Sequence, residues 1–361
     1  MTAATNRAVG RIRAVPSATI GLAACATAAF GAFMLAVGHG AVQIAPGEVL
    51  AILGHQMGLV AEVDATRAQE TVLLAIRLPR AVLGLLVGAG LAVAGAALQG
   101  LFRNPLADPG LIGVSNGAAL AAAVTIVLGG AGVFGVPTWL VPHLLPISAF
   151  AGGVAATWLV YLIATREGGT DVAVMLLAGV ALNAIVGAAI GLLIFLSDDQ
   201  ELRDLNFWLL GSLGGATWDR LAVAAPLILL PSLLLIAQGR RLNALLLGEV
   251  EAGHLGVAVE RTKRTIVLLA AMAVGASVAL TGVIGFVGLV VPHLIRLLIG
   301  PDHRTLLPAS ILLGAALLLV ADVLARTVAL PAELPIGILT STVGGPFFLW
   351  LLLRQRTQWA I

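Results

Sequence analysis

The stretch Val172 to Leu196, VAVMLLAGVALNAIVGAAIGLLIFL, contains no charged residue, and its only strongly polar side chain is the amide of Asn183. At 1.5 Å per residue, about twenty apolar residues cross the hydrocarbon of a bilayer, so this stretch reads as a transmembrane helix. Similar runs recur along the chain. Of 361 residues, 60% are hydrophobic and 11% charged, and the mean hydropathy is +1.06, values outside the range of soluble domains. The fold class is all-α, a polytopic membrane protein forming one transmembrane domain over residues 1–361. A β-barrel would show alternating segments of about ten residues with aromatic girdles, whereas aromatic residues are 5% of this chain. With 43 Gly and a single Tyr, the helices are expected to meet through small side chains.

Ten spans are predicted, at 18–37, 72–101, 114–130, 142–165, 172–196, 219–238, 264–284, 287–299, 305–327 and 335–353, the third and eighth being short. The first follows Arg7, Arg11 and Arg13 and resembles a signal sequence, but it is long enough to span and is read as a membrane helix. With an even number of spans both termini lie on one side. If that side is the cytoplasm, Arg7, Arg11, Arg13, Arg103, Arg166, Arg240, Arg241, Arg261, Lys263, Arg264, Arg296, Arg304, Arg354 and Arg356 face inward. Only Arg67, Arg77, Arg80, Arg203, Arg220 and Arg326 then face outward. The positive-inside rule selects this orientation, both termini cytoplasmic.

Two connections are long, an external one at 38–71 and an internal one at 239–263 that carries the helix-like Leu242–Gly248. Sliding the chain by 187 residues lays Arg77 on Arg264, Val87-Gly88-Ala89 on Val274-Gly275-Ala276, Gly95 on Gly282 and Pro105 on Pro292. The shift carries the second span onto the seventh, an odd number of crossings later. It therefore predicts an inverted repeat of helices 2–5 and 7–10, with halves at about 72–196 and 264–353. Between the second and third spans, Asn104-Pro105 and Asp108-Pro109-Gly110 are turn chemistry, with Ser115 or Asn116 expected to cap the following helix.

Small or polar residues recur every four positions in the fifth span, at Gly179, Asn183, Gly187 and Gly191, and in the tenth, at Gly337, Ser341 and Gly345. Such ladders let helix backbones approach closely. They equally make a pathway wall that offers bulky cargo neither a charge nor a large side chain, and polar groups at membrane depth commonly face a cavity.

Catalytic chemistry finds no footing. The six His show no ligand spacing, the lone Cys25 excludes a disulfide or a Cys cluster, and no phosphate-binding Gly-x-x-x-x-Gly-Lys-Ser/Thr loop is present. The chain is thus expected to be no enzyme, to bind no metal or cofactor, and to have no nucleic-acid partner. Asp322 and Glu333 lie toward the outer ends of their helices, which disfavours a pump energised by a core carboxylate.

Taken together, Arg77-Leu78-Pro79-Arg80, the run from Gly95 through Arg103-Asn104-Pro105 to Pro109-Gly110, Leu177–Leu182, Thr281–His293, Asp302-His303-Arg304 and Glu333-Leu334-Pro335-Ile336-Gly337 resemble one family. It is the permease subunit of bacterial ABC importers for iron-siderophores, heme and cobalamin, and the wording is most similar to heme permeases. The resemblance covers nearly everything beyond residue 70. It implies a homodimer in the inner membrane, in contact with membrane lipid, two cytoplasmic ATPase subunits that hold the ATP and Mg, and a periplasmic binding protein. It implies a pathway lined by the fifth and tenth helices, through Gly179, Asn183, Gly187, Gly191, Gly337, Ser341 and Gly345. A cytoplasmic gate is implied at Asp171, Val172 and Ala173, where family gates often carry hydroxyl residues that this chain lacks. ATPase coupling is implied at Leu242, Leu245, Leu246, Leu247, Gly248 and Glu249. Docking of the binding protein is implied at Arg77, Arg80 and Arg326, against the alternative that these arginines form internal salt bridges to Glu70, Asp322 or Glu333. The competing functional class is a stand-alone secondary transporter built on an inverted repeat.

Overall fold

The computed structural model describes residues 18–40, 42, 44–59, 65–129, 137, 138, 140–166 and 169–356. The Arg7, Arg11 and Arg13 cluster and part of the 38–71 connection lie outside the described residues. The first span is α1 (Ala18–Gly38), followed by the short outer helices α2 (Pro46–Gln56) and α3 (Arg67–Thr71). A π-helical segment, Val72–Arg77, joins α3 to α4 (Leu78–Leu101), so the second span is one continuous helix from Arg67. There follow α5 (Val114–Gly129), α6 (Val141–Ala164), α7 (Val172–Leu196), α8 (Asp199–Leu210), α9 (Trp218–Ile236), α10 (Gly239–Leu246) and α11 (Glu249–His254). The chain closes with α12 (Val259–Thr281), α13 (Val287–Leu298), α14 (His303–Thr327) and α15 (Ile336–Arg356). A two-residue hairpin, β1 (Thr165–Arg166) with β2 (Gly169–Thr170), lies between α6 and α7.

Seven of these helices are long and apolar enough to cross a membrane, and α5, α13 and α15 are shorter apolar helices. Each of the ten predicted spans thus has a helix among the described residues, seven of them long enough to cross and three shorter. α8 was not foreseen, although its signal is in the sequence: Asp198 accepts from the Gln200 and Glu201 N–H groups while Glu201 reaches back to the Asp198 N–H, a capping box.

α4 packs along α14 as α12 packs along α6, and α13 meets α14 as α5 meets α6. Exchanging the second helix with the seventh, the third with the eighth and the fourth with the ninth maps one set of contacts on the other, the relation an inverted repeat requires. The constant shift of 187 does not run through both halves. Leu101 closes α4 and Thr281 closes α12, whereas the left-handed residue that precedes the next helix is Gly113 (φ 82°) in one half and Phe286 (φ 66°) in the other. The connector 102–113 is longer than 282–286, so the register changes across it and the Pro105–Pro292 identity is compositional.

Small residues hold the bundle together, as lipid leaves close van der Waals fit as the main attraction between helices. A β-carbon at Gly88 would overlap the Gly314 carbonyl of α14, and one at Gly95 would overlap the Gly288 carbonyl of α13. The buried centre of the bundle is built from α4, α12, α13 and α14 with α5 and α6. A second apolar cluster joins α1 to Ile44, Val49 and Ile52 around α2, which secures part of the outer loop. In the turn before α5, the Asn104 side chain accepts from the Leu106 N–H at 2.9 Å and that of Asp108 from the Gly110 N–H at 2.7 Å. Burial pushes the Asp108 carboxyl up, against the pull of that N–H. α5 opens at Val114, so Ser115 and Asn116 fall inside its first turn and neither is its cap.

Candidate functional site

Three groups of side chains carry the functional argument, one at the outer end of the bundle, one along α7 and α15, and one at the inner end, with outer and inner as the arginine distribution assigns them.

At the outer end, Arg77, Arg80 and Arg326 are 3%, 8% and 9% exposed. Arg80 donates from Nε to Asp322 Oδ1 at 2.9 Å and pairs with both oxygens of Glu333, at 3.0 and 2.9 Å. Arg326 lies 3.1 Å from Asp322 Oδ2 and donates to the Ala36 carbonyl at 2.9 Å. Arg77 donates to the Val37, Gly38 and Val42 carbonyls. These arginines take the internal pairing weighed as the alternative to docking. Their guanidinium groups turn inward and clamp the ends of α1, α4 and α14, because a buried cation is tolerated only with charge or carbonyl partners. Asp322 and Glu333 are the partners, and Glu70 is not. The outward-facing member of the cluster is Glu333, whose side chain is 49% exposed.

Along the middle, α7 is the least covered of the long helices. Among the described residues, no neighbouring element comes within 4 Å of where a β-carbon would stand at Gly187 or Gly191, or at Gly345 on α15. Ser341 is exposed beside Gly345, as are Thr342 and Val343. The ladders nevertheless divide. A β-carbon at Gly179 would overlap the Leu111 carbonyl and one at Gly337 the Leu210 carbonyl, so those two glycines serve helix packing. Asn183 donates to the Gly110 carbonyl at 3.2 Å, while its Oδ1 has no hydrogen-bond partner among the described residues. Next to the open Gly345, Gly344 receives the ring of Phe286. Beside their packing positions, α7 thus presents open glycines, and α15 an open glycine and exposed hydroxyls.

At the inner end, a cavity of about 830 Å³ is lined by Phe102, Arg103, Arg166, Asp171, Val172 and Glu249, among others. The predicted gate residues Asp171, Val172 and Ala173 line it together. Asp171 Oδ1 caps α7 by accepting from the Ala173 and Val174 N–H groups at 2.7 and 3.1 Å. The coupling leucines divide by helical phase. Leu242 and Leu245 are buried in the main core, whereas Leu246 and Leu247 are exposed and are joined by Val250 and Leu255. The first two pack within this chain and the last two are open to a partner. Gly248 (φ 126°) makes the turn between α10 and α11, and Glu249 opens α11. Asn243 of α10 donates to Asp302 Oδ1 at 2.6 Å and accepts from the His303 N–H at 2.9 Å, joining α10 to α14. The Arg304 N–H and Asn243 hold the Asp302 carboxyl below the usual carboxylate range.

Lys263, a residue not singled out from the sequence, is 3% exposed and supplies three hydrogen bonds. Its Nζ donates to the Thr170 carbonyl at 2.8 Å, Glu249 Oε2 at 2.7 Å and Glu260 Oε1 at 3.0 Å. The available signal was its being the sole lysine of a chain rich in arginine.

A bundle of ten apolar helices in two inverted halves, with an uncovered small-residue face and a wide inner cavity, defines a multi-pass membrane permease. The chain belongs to the FecCD transport family, whose sequence profile matches residues 27–354. It is a transporter subunit and not an enzyme; ATP hydrolysis belongs to separate subunits. It is 53% identical over 283 residues, 78% of this chain and 83% of the relative, to the hemin transport system permease protein HmuU of Yersinia pestis. It is 47% identical over 281 residues, 78% of this chain and 73% of the relative, to the cobalamin import system permease protein BtuC of Halobacterium salinarum. Among solved structures it is similar, at 33% identity and a TM-score of 0.79, to a metal-chelate type ABC transporter in an inward-facing conformation, covering 92% of this chain and 98% of that one.

Proposed function

We propose that the chain is the transmembrane subunit of an ATP-driven importer that carries heme from the periplasm to the cytoplasm by alternating access. Two copies would enclose the pathway between their α7 and α15 faces, both termini would be cytoplasmic, and two ATPase subunits holding ATP and Mg would sit below. The observation that carries this reading is the uncovered face of α7 and α15, where Gly187, Gly191 and Gly345 open onto space and Ser341 is exposed. Lipid would cover large apolar side chains as well as a second copy does, so the weight rests on the open glycines and hydroxyls, which suit a pathway between two copies. The wide inner cavity beneath α7 is consistent with an exit toward the cytoplasm.

Heme is preferred because of the 53% identity to a hemin permease, and cobalamin is the second reading on the strength of the 47% relative. The exposed Leu246, Leu247 and Val250 would meet the ATPase. A binding protein would dock over the outer arginine cluster, its carboxylate displacing Glu333 from Arg80. Reconstitution of the chain with its ATPase and binding protein, followed by uptake of hemin, a ferric siderophore and cobalamin, tests the proposal. Hemin is expected to accumulate in an ATP-dependent manner above the other two. Preferred uptake of cobalamin or siderophore overturns the cargo, and ATP-independent uptake overturns the mechanism.

A further inference from the structure

Three separate elements of the inner end meet at one buried ammonium. Lys263 stands in the first turns of α12, Glu249 opens α11, and Thr170 ends the hairpin strand β2. The Nζ distances of 2.7, 2.8 and 3.0 Å leave each of its three N–H bonds with an acceptor. Glu260 closes the ring, since its Oε2 accepts from the Thr170 N–H at 2.9 Å. The hairpin is therefore held by both backbone groups of one residue, and the next residue, Asp171, caps α7. On the opposite side, Glu249 follows Gly248 directly, and the exposed Leu247 and Val250 flank the pair.

We infer that Lys263 is a positioning residue that transmits movement of α11 to strand β2 and thereby to Asp171 and the inner end of α7. This rests on reading the chain as an ATP-driven importer. The physical argument is the cost of separating the partners: a buried ammonium that loses an acceptor keeps an unsatisfied N–H bond, which favours α11, β2 and α12 moving together. The chain of contact is continuous, from Leu247 and Val250 through Glu249, Nζ and Thr170 to the Asp171 cap. Lysine suits the junction because its compact ammonium points three donors in three directions, whereas the planar fork of arginine does not. The other charged groups that face the same cavity, Arg103, Arg166 and Asp171, make no ion pair with this ring.

The test uses the permease with its ATPase and binding protein in liposomes, hemin as cargo, and a spin label at Arg166→Cys in a Cys25→Ser background. In the parent complex, nucleotide binding should change the distance between the two labels. Lys263→Met should retain ATPase association and hydrolysis, lose that change in distance, and lower hemin taken up per ATP by at least about tenfold. Glu249→Ala, on a side chain 40% exposed, is the variant least exposed to misfolding and should lower the same ratio by about threefold, with little added effect in the Lys263→Met background. A folded Lys263→Met complex that keeps both the distance change and the uptake per ATP overturns the inference, as does full additivity of the two substitutions. A parent complex that takes up hemin without ATP removes the importer reading itself, and this inference with it.

Discussion

Arg80 on α4 and Asp322 on α14 are paired through two guanidinium nitrogens to one carboxylate oxygen, each at 2.9 Å, with both side chains almost fully buried. Asp322 also meets Arg326, so a single carboxylate neutralises the outer ends of two helices. Removing it leaves buried Arg326 with no carboxylate and Arg80 with Glu333 alone. Asp322→Ala should cost about 3 to 5 kcal/mol, measured as loss of thermal stability in detergent, against a much smaller loss for Glu333→Ala. Equal losses for the two would show that the cluster does not depend on Asp322.

Glu333 is the half-exposed partner of Arg80. If a binding-protein carboxylate takes its place, Glu333→Gln should raise affinity for that protein by about threefold to tenfold at low salt and steepen the salt dependence. Affinity and salt dependence both unchanged would move the docking site away from Arg80.

At the inner end, Leu247→Asp and Val250→Asp should release the ATPase on an affinity column while the permease elutes as folded protein, since both side chains are exposed. Leu242→Asp should fail earlier, at expression, because that side chain is fully buried in the core. Retention of the ATPase by the Leu247→Asp, Val250→Asp double variant would contradict the assignment.

The depressed ionisation of Asp302 gives a pH dependence whose sign is fixed. A carboxyl with a folded pKa below its unfolded value of about 3.9 contributes stability above that value, and the contribution disappears as pH falls through the folded pKa. The melting temperature in detergent should therefore be insensitive to this residue's titration from pH 8 to 5. It should fall more steeply below about pH 4 than in Asp302→Asn, where no carboxylate remains to be protonated. Identical acid limbs in the two proteins would remove Asp302 as an acid-sensitive tie between α10 and α14.

What the sequence conveyed and what it withheld follow from the range of the interactions. The run Val172–Leu196 needs only its own hydropathy, and α7 occupies that range without adjustment. The outer arginines depend on a partner 242 residues away, Asp322 for Arg80, and no local pattern reports which way such a group will turn. Gly179 and Gly187 share one ladder and one residue type, yet the Leu111 carbonyl crowds the first and nothing crowds the second. That distinction is made by the neighbouring turn, not by spacing along α7. Leu245 and Leu246 are adjacent in sequence and part ways because a helix rotates each residue by about 100°, which carries one into the core and the other toward solvent. Lys263 was overlooked since its three acceptors come from separate segments, and its rarity was the single local clue.

The central claim, that the open face of α7 belongs to the pathway, is tested most directly at Gly187. Gly187→Trp in the reconstituted complex should fold and keep hydrolysing ATP while hemin uptake falls at least about tenfold, because the ring grows from a β-carbon position that no neighbouring element among the described residues approaches within 4 Å. Gly179→Ala should instead lower stability, its new methyl group meeting the Leu111 carbonyl. Undiminished hemin uptake by a well-folded Gly187→Trp complex would contradict the account and take α7 out of the pathway.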